Sequence, residues 1–262
     1  MDLRERETHE IEAYEAALRE THVDDESLRI SEYSIRRYSA PMSVKRLPVD
    51  MLFKILAPVT DMRVLDCGCG DGEFSTIIGL LGASVTGIDI SERLTGIARR
   101  RAAINGVADR VRFVRCSIHD MPFSTGSFDI AFGKGVLHHV DIESAGREIH
   151  RVLKAGGRAV FEEPVALSGL LLRIRQSAPV SGLVKINKIT PDERPLTASD
   201  IALFSSYFRA NQVHYLQLLS RLDRFFRSAR ALDWLNAIDT GVMRMLPVLR
   251  RYGRLAILNC HK

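Results

Sequence analysis

Asp66, Gly68, Gly70 and Gly72 are spaced two apart at the end of an apolar run, Val64-Leu65-Asp66-Cys67-Gly68-Cys69-Gly70-Asp71-Gly72. That arrangement suits a nucleoside cofactor. A parallel strand feeding a glycine-rich turn lets backbone approach a ligand without Cβ clashes, and the following helix offers free N–H groups and a positive dipole end. The dinucleotide pattern G-x-G-x-x-G would need glycine at position 73, where Glu73 stands. A ribose-binding carboxylate is expected at the end of the next strand, roughly 20 residues on. Asp89 supplies it, closing the run 84–89. Capping the helix 92–103 is the competing duty for Asp89, but Ser91 already occupies the usual N-cap position.

Positioning these groups takes a sheet. Further apolar runs at 111–116, 128–133 and 159–161 read as strands, the last preceded by a helical pattern over 145–154 with Ile149, Val152 and Leu153 on one face. Gly156 is expected to supply the left-handed C-cap of that helix.

The pattern Asp66-x-Gly68-x-Gly70-x-Gly72 resembles motif I of the class I S-adenosylmethionine (SAM) methyltransferases. The loop Met121-Pro122-Phe123, the stretch Ser127-Phe128-Asp129 and the turn Arg151-Val152-Leu153-Lys154-Ala155-Gly156-Gly157-Arg158 are similar to further segments of that family, with Ala155 where proline is usual. The likeness runs nearly unbroken over 63–163, closest to the small-molecule, UbiE-like branch. It implies an α/β fold: a Rossmann-like seven-stranded, mostly parallel sheet with flanking helices and an added helical cap. The runs 212–219 and 253–260 would supply the final antiparallel pair. It also implies SAM as cofactor, with Asp66, Gly68, Gly70, Gly72, Asp89, Ile90, Ser117, Ile118 and Lys134 as its contacts, Ile90 lying against the adenine face. Ser117 departs from the family, which usually has an acidic residue there to bond the adenine amino group. The Ser117 hydroxyl, the Ile118 N–H and Asp120 are the available substitutes.

Methyl transfer needs a base only when the acceptor must lose a proton. The candidates are His138 and His139, in a segment similar to the family's "L-H-H" stretch, and Glu163, which ends the fifth strand beside Glu162. No carboxylate cluster recurs for a metal-dependent mechanism, and Cys67, Cys69, Cys116 and Cys260 lack metal-site spacing. They read as packing residues in a reducing compartment, which makes the cytoplasm the expected location.

The flanks should carry the acceptor site. Residues 1–58 read as a helical lid, with Tyr33 and Tyr38 either closing the pocket or anchoring the segment. Residues 59–262 form the methyltransferase domain, with a substrate-cap insertion at 164–211 and a helical segment at 221–251. The stretch 164–190 holds no Asp or Glu but carries Arg173, Arg175, Lys185, Lys188 and Leu170-Leu171-Leu172. With the net charge of +5, this basic, greasy character fits an anionic-substrate funnel, an interfacial helix or a solvated face. Nucleic acid is disfavoured as a partner, since no RNA-binding module is present. The expectation is methyl transfer to O, N or C of a small, apolar or amphipathic metabolite. The alternatives are an enzyme acting on a lipid or quinone precursor at the inner membrane face, and a catalytically silent SAM-binding scaffold.

Overall fold

The computed structural model describes residues 3–18, 23–39, 48–167, 194–218 and 229–262. Three helices lead in: α1 (Leu3–Leu18), α2 (Glu32–Ser39) and α3 (Pro48–Leu56). Then strands and helices alternate as β1 (Arg63–Cys67), α4 (Glu73–Leu80), β2 (Ser84–Asp89), α5 (Glu92–Ile104), β3 (Val111–Arg115), β4 (Phe128–Lys134), α6 (Ile142–Val152) and β5 (Leu153–Pro164). The chain closes with α7 (Ala198–Ser206), β6 (Ala210–Leu216), α8 (Ala229–Met245) and β7 (Leu255–His261).

The strands form one seven-stranded sheet in the order β3-β2-β1-β4-β5-β7-β6. β1 to β5 pair in parallel, whereas β7 runs antiparallel to both β5 and β6. This is the expected Rossmann-like sheet. Successive strand residues face opposite layers: Val64 and Val160 pack with Leu52, Leu56 and Ile78, while Leu65 and Phe161 pack with Ile149 and Phe204. Two covered faces explain why these strands are nearly continuous apolar runs. The strand order reverses between β1 and β4, where Cys67 lies beside Gly133, and a crevice opens at such a switch point beyond the carboxyl ends of the strands.

The structure changes two local expectations. α6 ends at Val152, and Leu153 is already extended and pairs with Phe128. Gly156 (φ 77°) therefore turns a bulge inside β5, where the register shifts between Phe128 and Ile130, and does not cap the helix. Among the described residues, the helical segment expected at 221–251 is an α-helix only over 229–245, because Pro247 withholds an N–H from the backbone ladder and the chain tightens into a 3-10 turn. The expected cap falls largely outside the described residues, which omit 168–193 and 219–228 and with them Leu170-Leu171-Leu172, Phe225 and Phe226.

Candidate active site

The turn after β1 is fixed from below. Arg101 on α5 is buried and donates to the Asp71 carbonyl (3.0 Å) and to Asp71 Oδ2 (2.5 Å). Asp66 is buried and accepts from Ser75 Oγ at 2.5 Å, and burial pushes its carboxyl up to about 7. Gly72 caps α4 at φ 77°, where a Cβ would come within 2.6 Å of Ala98 Cβ and 2.9 Å of Phe113. Only glycine satisfies both the backbone and the packing there. Asp66 and Gly72 thus support the turn and do not line the cavity above it.

The cavity above the turn is open to solvent. It spans the carboxyl ends of four adjacent strands. Gly68 and Gly70 line it from β1, Asp89 and Ile90 from β2, Ser117 and Ile118 from β3, and Lys134 and His139 from β4. Gly70 has φ 53°, and a Cβ there would meet no protein atom within 4 Å, so its absence leaves backbone open to a ligand. Asp89 accepts from Gly70 N through Oδ2 and from Ser91 N through Oδ1, both at 2.9 Å. Each oxygen keeps lone-pair capacity for a hydroxyl. Burial raises the Asp89 pKa while the backbone N–H groups of Ser91, Gly70 and Ile90 pull it down. Ser91 caps α5 by accepting from Leu94 N, which leaves Asp89 to the cavity.

The three base candidates separate. Glu163 is fully buried: Oε1 accepts from Val136 N (2.9 Å) and Leu137 N (2.8 Å), and Oε2 faces His138 Nδ1 at 2.8 Å. It clamps the turn after β4 from below, and neither Glu163 nor His138 lines the cavity. His139 does, with its ring 4.0 Å from that of His138 and its Nδ1 3.5 Å from Glu10 Oε1. Glu162 lies 3.9 Å from Lys134 Nζ, and burial lifts its carboxyl to about 7.

Within the segment 1–58, expected as a lid, the residues that line the cavity are not among the sequence candidates for the site. Arg6, Glu7, Glu10 and Ile11 on α1 line the cavity from the side opposite the turn. Arg6 donates to the His139 carbonyl (3.1 Å), and Glu7 Oε1 accepts from Ser117 Oγ (2.5 Å) and lies 3.0 Å from His119 Nδ1. Glu10 titrates at about 7, raised by burial and by Asp89 across the cavity. Tyr33 and Tyr38 do not close the site: Tyr33 is 72% exposed, and Tyr38 stacks on Phe53 at 4.1 Å. The only sequence signal for the roof is that α1 carries acids and bases on more than one face, which many solvated helices share. Among the described residues no group of His, Cys, Asp and Glu could hold a metal ion, and the four cysteines are free.

A glycine-rich turn, a carboxylate at the end of β2 and a crevice at the switch point make up a Rossmann-like α/β arrangement. The family described as Methyltransferase domain matches residues 65–161. A demethylmenaquinone methyltransferase of Clavibacter sepedonicus is 36% identical over 140 residues, covering 51% of this chain and 55% of that protein. The chain spans about half the length of the curated relatives it matches. Among solved structures, a geranyl diphosphate methyltransferase in complex with GPP and sinefungin aligns with TM-score 0.59 at 21% identity, covering 81% of this chain and 75% of that one. The 4+2 cyclase SpnF aligns with TM-score 0.57 at 21% identity over 87% and 90%. Residues 65–161 are thus similar to a methyltransferase domain, set within a Rossmann-like sheet.

Proposed function

We propose that this protein transfers the methyl group of SAM to a small-molecule acceptor. The observation that carries the reading is the cavity in which Gly70 backbone and Asp89 meet at the carboxyl edge of the sheet. SAM, when bound, supplies an electrophilic methyl on a sulfonium. Asp89 would accept from the ribose hydroxyls, Ile90 would lie against the base, and Gly68 and Gly70 would let the rest of the cofactor pass close to the backbone. Lys134, at the β4 side, offers a cation to a carboxylate. Holding methyl and nucleophile in line supplies much of the barrier reduction, and α1 excludes water from above. Of the three base candidates His139 has the access, and Glu10 beside its Nδ1 would stabilise a proton taken up by the ring. Glu163 and His138 act beneath, holding the turn that presents His139.

Isotopically methyl-labelled SAM, supplied with cell extract to the purified chain, tests the reading: a labelled small molecule that appears only with the protein is the expected result. SAM binding with no labelled product in any extract would instead favour the scaffold, a reading the fold alone leaves available.

A second reading, action on an amphipathic acceptor at a membrane surface, rests on α8. Trp234, Ile238 and Met245 fall on one stripe of that helix and are exposed, Trp234 by 72% and Met245 by 82%, and exposed Leu246 and Val248 continue the patch beside Arg244, Arg250 and Arg251. The acid-free stretch 164–190 adds basic charge in the sequence. No described helix is long and apolar enough to cross a membrane. Flotation with anionic vesicles decides: binding at low salt that is lost at high salt supports the interfacial reading, and no binding at either salt removes it.

A further inference from the structure

We propose that Glu7 on the lid helix α1 reads the exocyclic amino group of the cofactor's purine and so selects adenosyl over deaminated cofactors. The inference rests on the SAM reading and deepens it.

Asp89 places the ribose at the end of β2. From there the cavity runs two ways. Toward β4 it is lined by Lys134, Gly135 and His139, and toward β3 by Leu94, Cys116 and Ile118, beside Ile90. The β3 arm is the apolar one, suited to a flat base, and its far wall is Ser117 to His119. No carboxylate of that wall's own segment lines the arm; Glu7 descends onto it from α1.

The hydrogen bonds fix what Glu7 can do. His119 Nε2 accepts from Asp141 N at 3.1 Å, so the ring proton sits on Nδ1 and points to Glu7 Oε1 and Ser117 Oγ, each 3.0 Å away. Ser117 Oγ accepts from His119 N (3.1 Å) and spends its single proton on Glu7 Oε1 (2.5 Å). Two donors therefore hold Oε1, while Oε2 has no partner among the described residues. The Ile118 N–H likewise has no acceptor among them. Glu7 from the roof and Ile118 from the β3 side both line this arm, and a carboxylate oxygen with an N–H is the chemical complement of the amidine edge of adenine, whose amino group donates and whose N1 accepts. Hypoxanthine reverses both roles, with an oxygen facing Oε2 and an N1–H facing the Ile118 N–H. Glu7 is 26% exposed on its side chain, partly shielded from competing water.

The test compares binding of S-adenosylhomocysteine and S-inosylhomocysteine to the full chain by titration calorimetry. Wild type should prefer the adenosyl compound by at least about 30-fold, since a site built to pair with polar groups strongly rejects a mismatched analogue. Glu7→Ala should shrink the ratio to about 5-fold or less, by weakening the adenosyl compound and relieving the oxygen–carboxylate repulsion in the inosyl one. Glu7→Gln, whose single oxygen stays with the Ser117 and His119 donors, turns its NH2 toward the base and should abolish or reverse the preference. Arg6→Ala removes a lid contact away from the base and should weaken both ligands alike. If Glu7→Ala also weakens both alike, or leaves the ratio intact, Glu7 only closes the lid and the proposal fails. Equal binding of both compounds by wild type overturns it too, with the cofactor reading standing. Binding of neither by wild type would overturn the cofactor reading itself.

Discussion

The turn after β1 and the helix α1 face each other across one cavity and are held by different means. The turn rests on buried groups: Arg101 on Asp71, Ser75 on Asp66, and Gly72 pressed against Ala98 and Phe113. α1 has no described side chain that is fully buried and meets the domain through Arg6, Glu7 and Glu10 at the rim. Polar contacts at a solvent boundary open at lower free energy than a packed turn. A rigid floor with a releasable roof is what an enzyme needs when its cofactor must enter, be shielded and leave.

Four measurements probe that contrast. Gly72→Val should be the most damaging, because a β-branched residue at positive φ adds about 1–2 kcal/mol to the roughly 1–3 kcal/mol of overpacking against Ala98 and Phe113. Urea denaturation should show the loss, and a midpoint close to wild type would mean the turn is not the rigid member. Glu163→Ala comes next: three buried donors, Val136 N, Leu137 N and His138 Nδ1, lose their acceptor, for about 2–4 kcal/mol of stability. Lost turnover with unchanged stability would instead make Glu163 a direct participant in the reaction.

Asp89→Ala acts on the ligand and on the floor together, freeing Gly70 N as well as removing the proposed ribose acceptor. Calorimetry should show SAM binding weakened by about 1.5–3 kcal/mol, and unaltered affinity would discard the ribose assignment. The smallest effect belongs to the roof and is pH-dependent. Glu10 titrates at about 7 in the folded chain against 4.5 ordinarily, so folded protein holds more protons between those values. Stability from this group is full below about pH 4.5 and is lost as pH rises through 7. Asp89 and Glu7 face Glu10 and raise its pKa, whereas His138 and Arg6 lower it. Amide exchange in α1, corrected for intrinsic rates, should be less protected at pH 8 than at pH 5 by about 1–3 kcal/mol. Glu10→Gln should flatten the dependence; a profile unchanged by that substitution would assign the roof's pH response elsewhere.

Local chemistry carried the floor. The alternating glycines, the strand-ending Asp89 and the Ser91 cap each act within a few residues of where they stand, so pattern and spacing are enough to place them. The same holds for Arg151, whose turn motif could be read although its task could not. Its guanidinium reaches the carbonyls of Met121 and Phe123 at 3.0 and 2.6 Å, tying the β3–β4 loop to α6.

Tertiary structure decided the rest, because sequence separation hides long-range contacts. Alternation along β5 left the roles of Glu162 and Glu163 undetermined; the turn beyond β4, folded back over the strand, surrounds Glu163 with three donors and draws Glu162 toward Lys134. His138 and His139 are neighbours in the chain, yet one is spent on Glu163 and the other reaches the cavity. Glu7 stands 110 residues from Ser117, on a charged helix of the expected lid, and which of its charges meets the site is set only when the fold lays that helix across the carboxyl ends of the strands. A carboxylate's partners are set by which backbone N–H groups and side chains the packed chain brings within about 3 Å, and that proximity is a property of the fold.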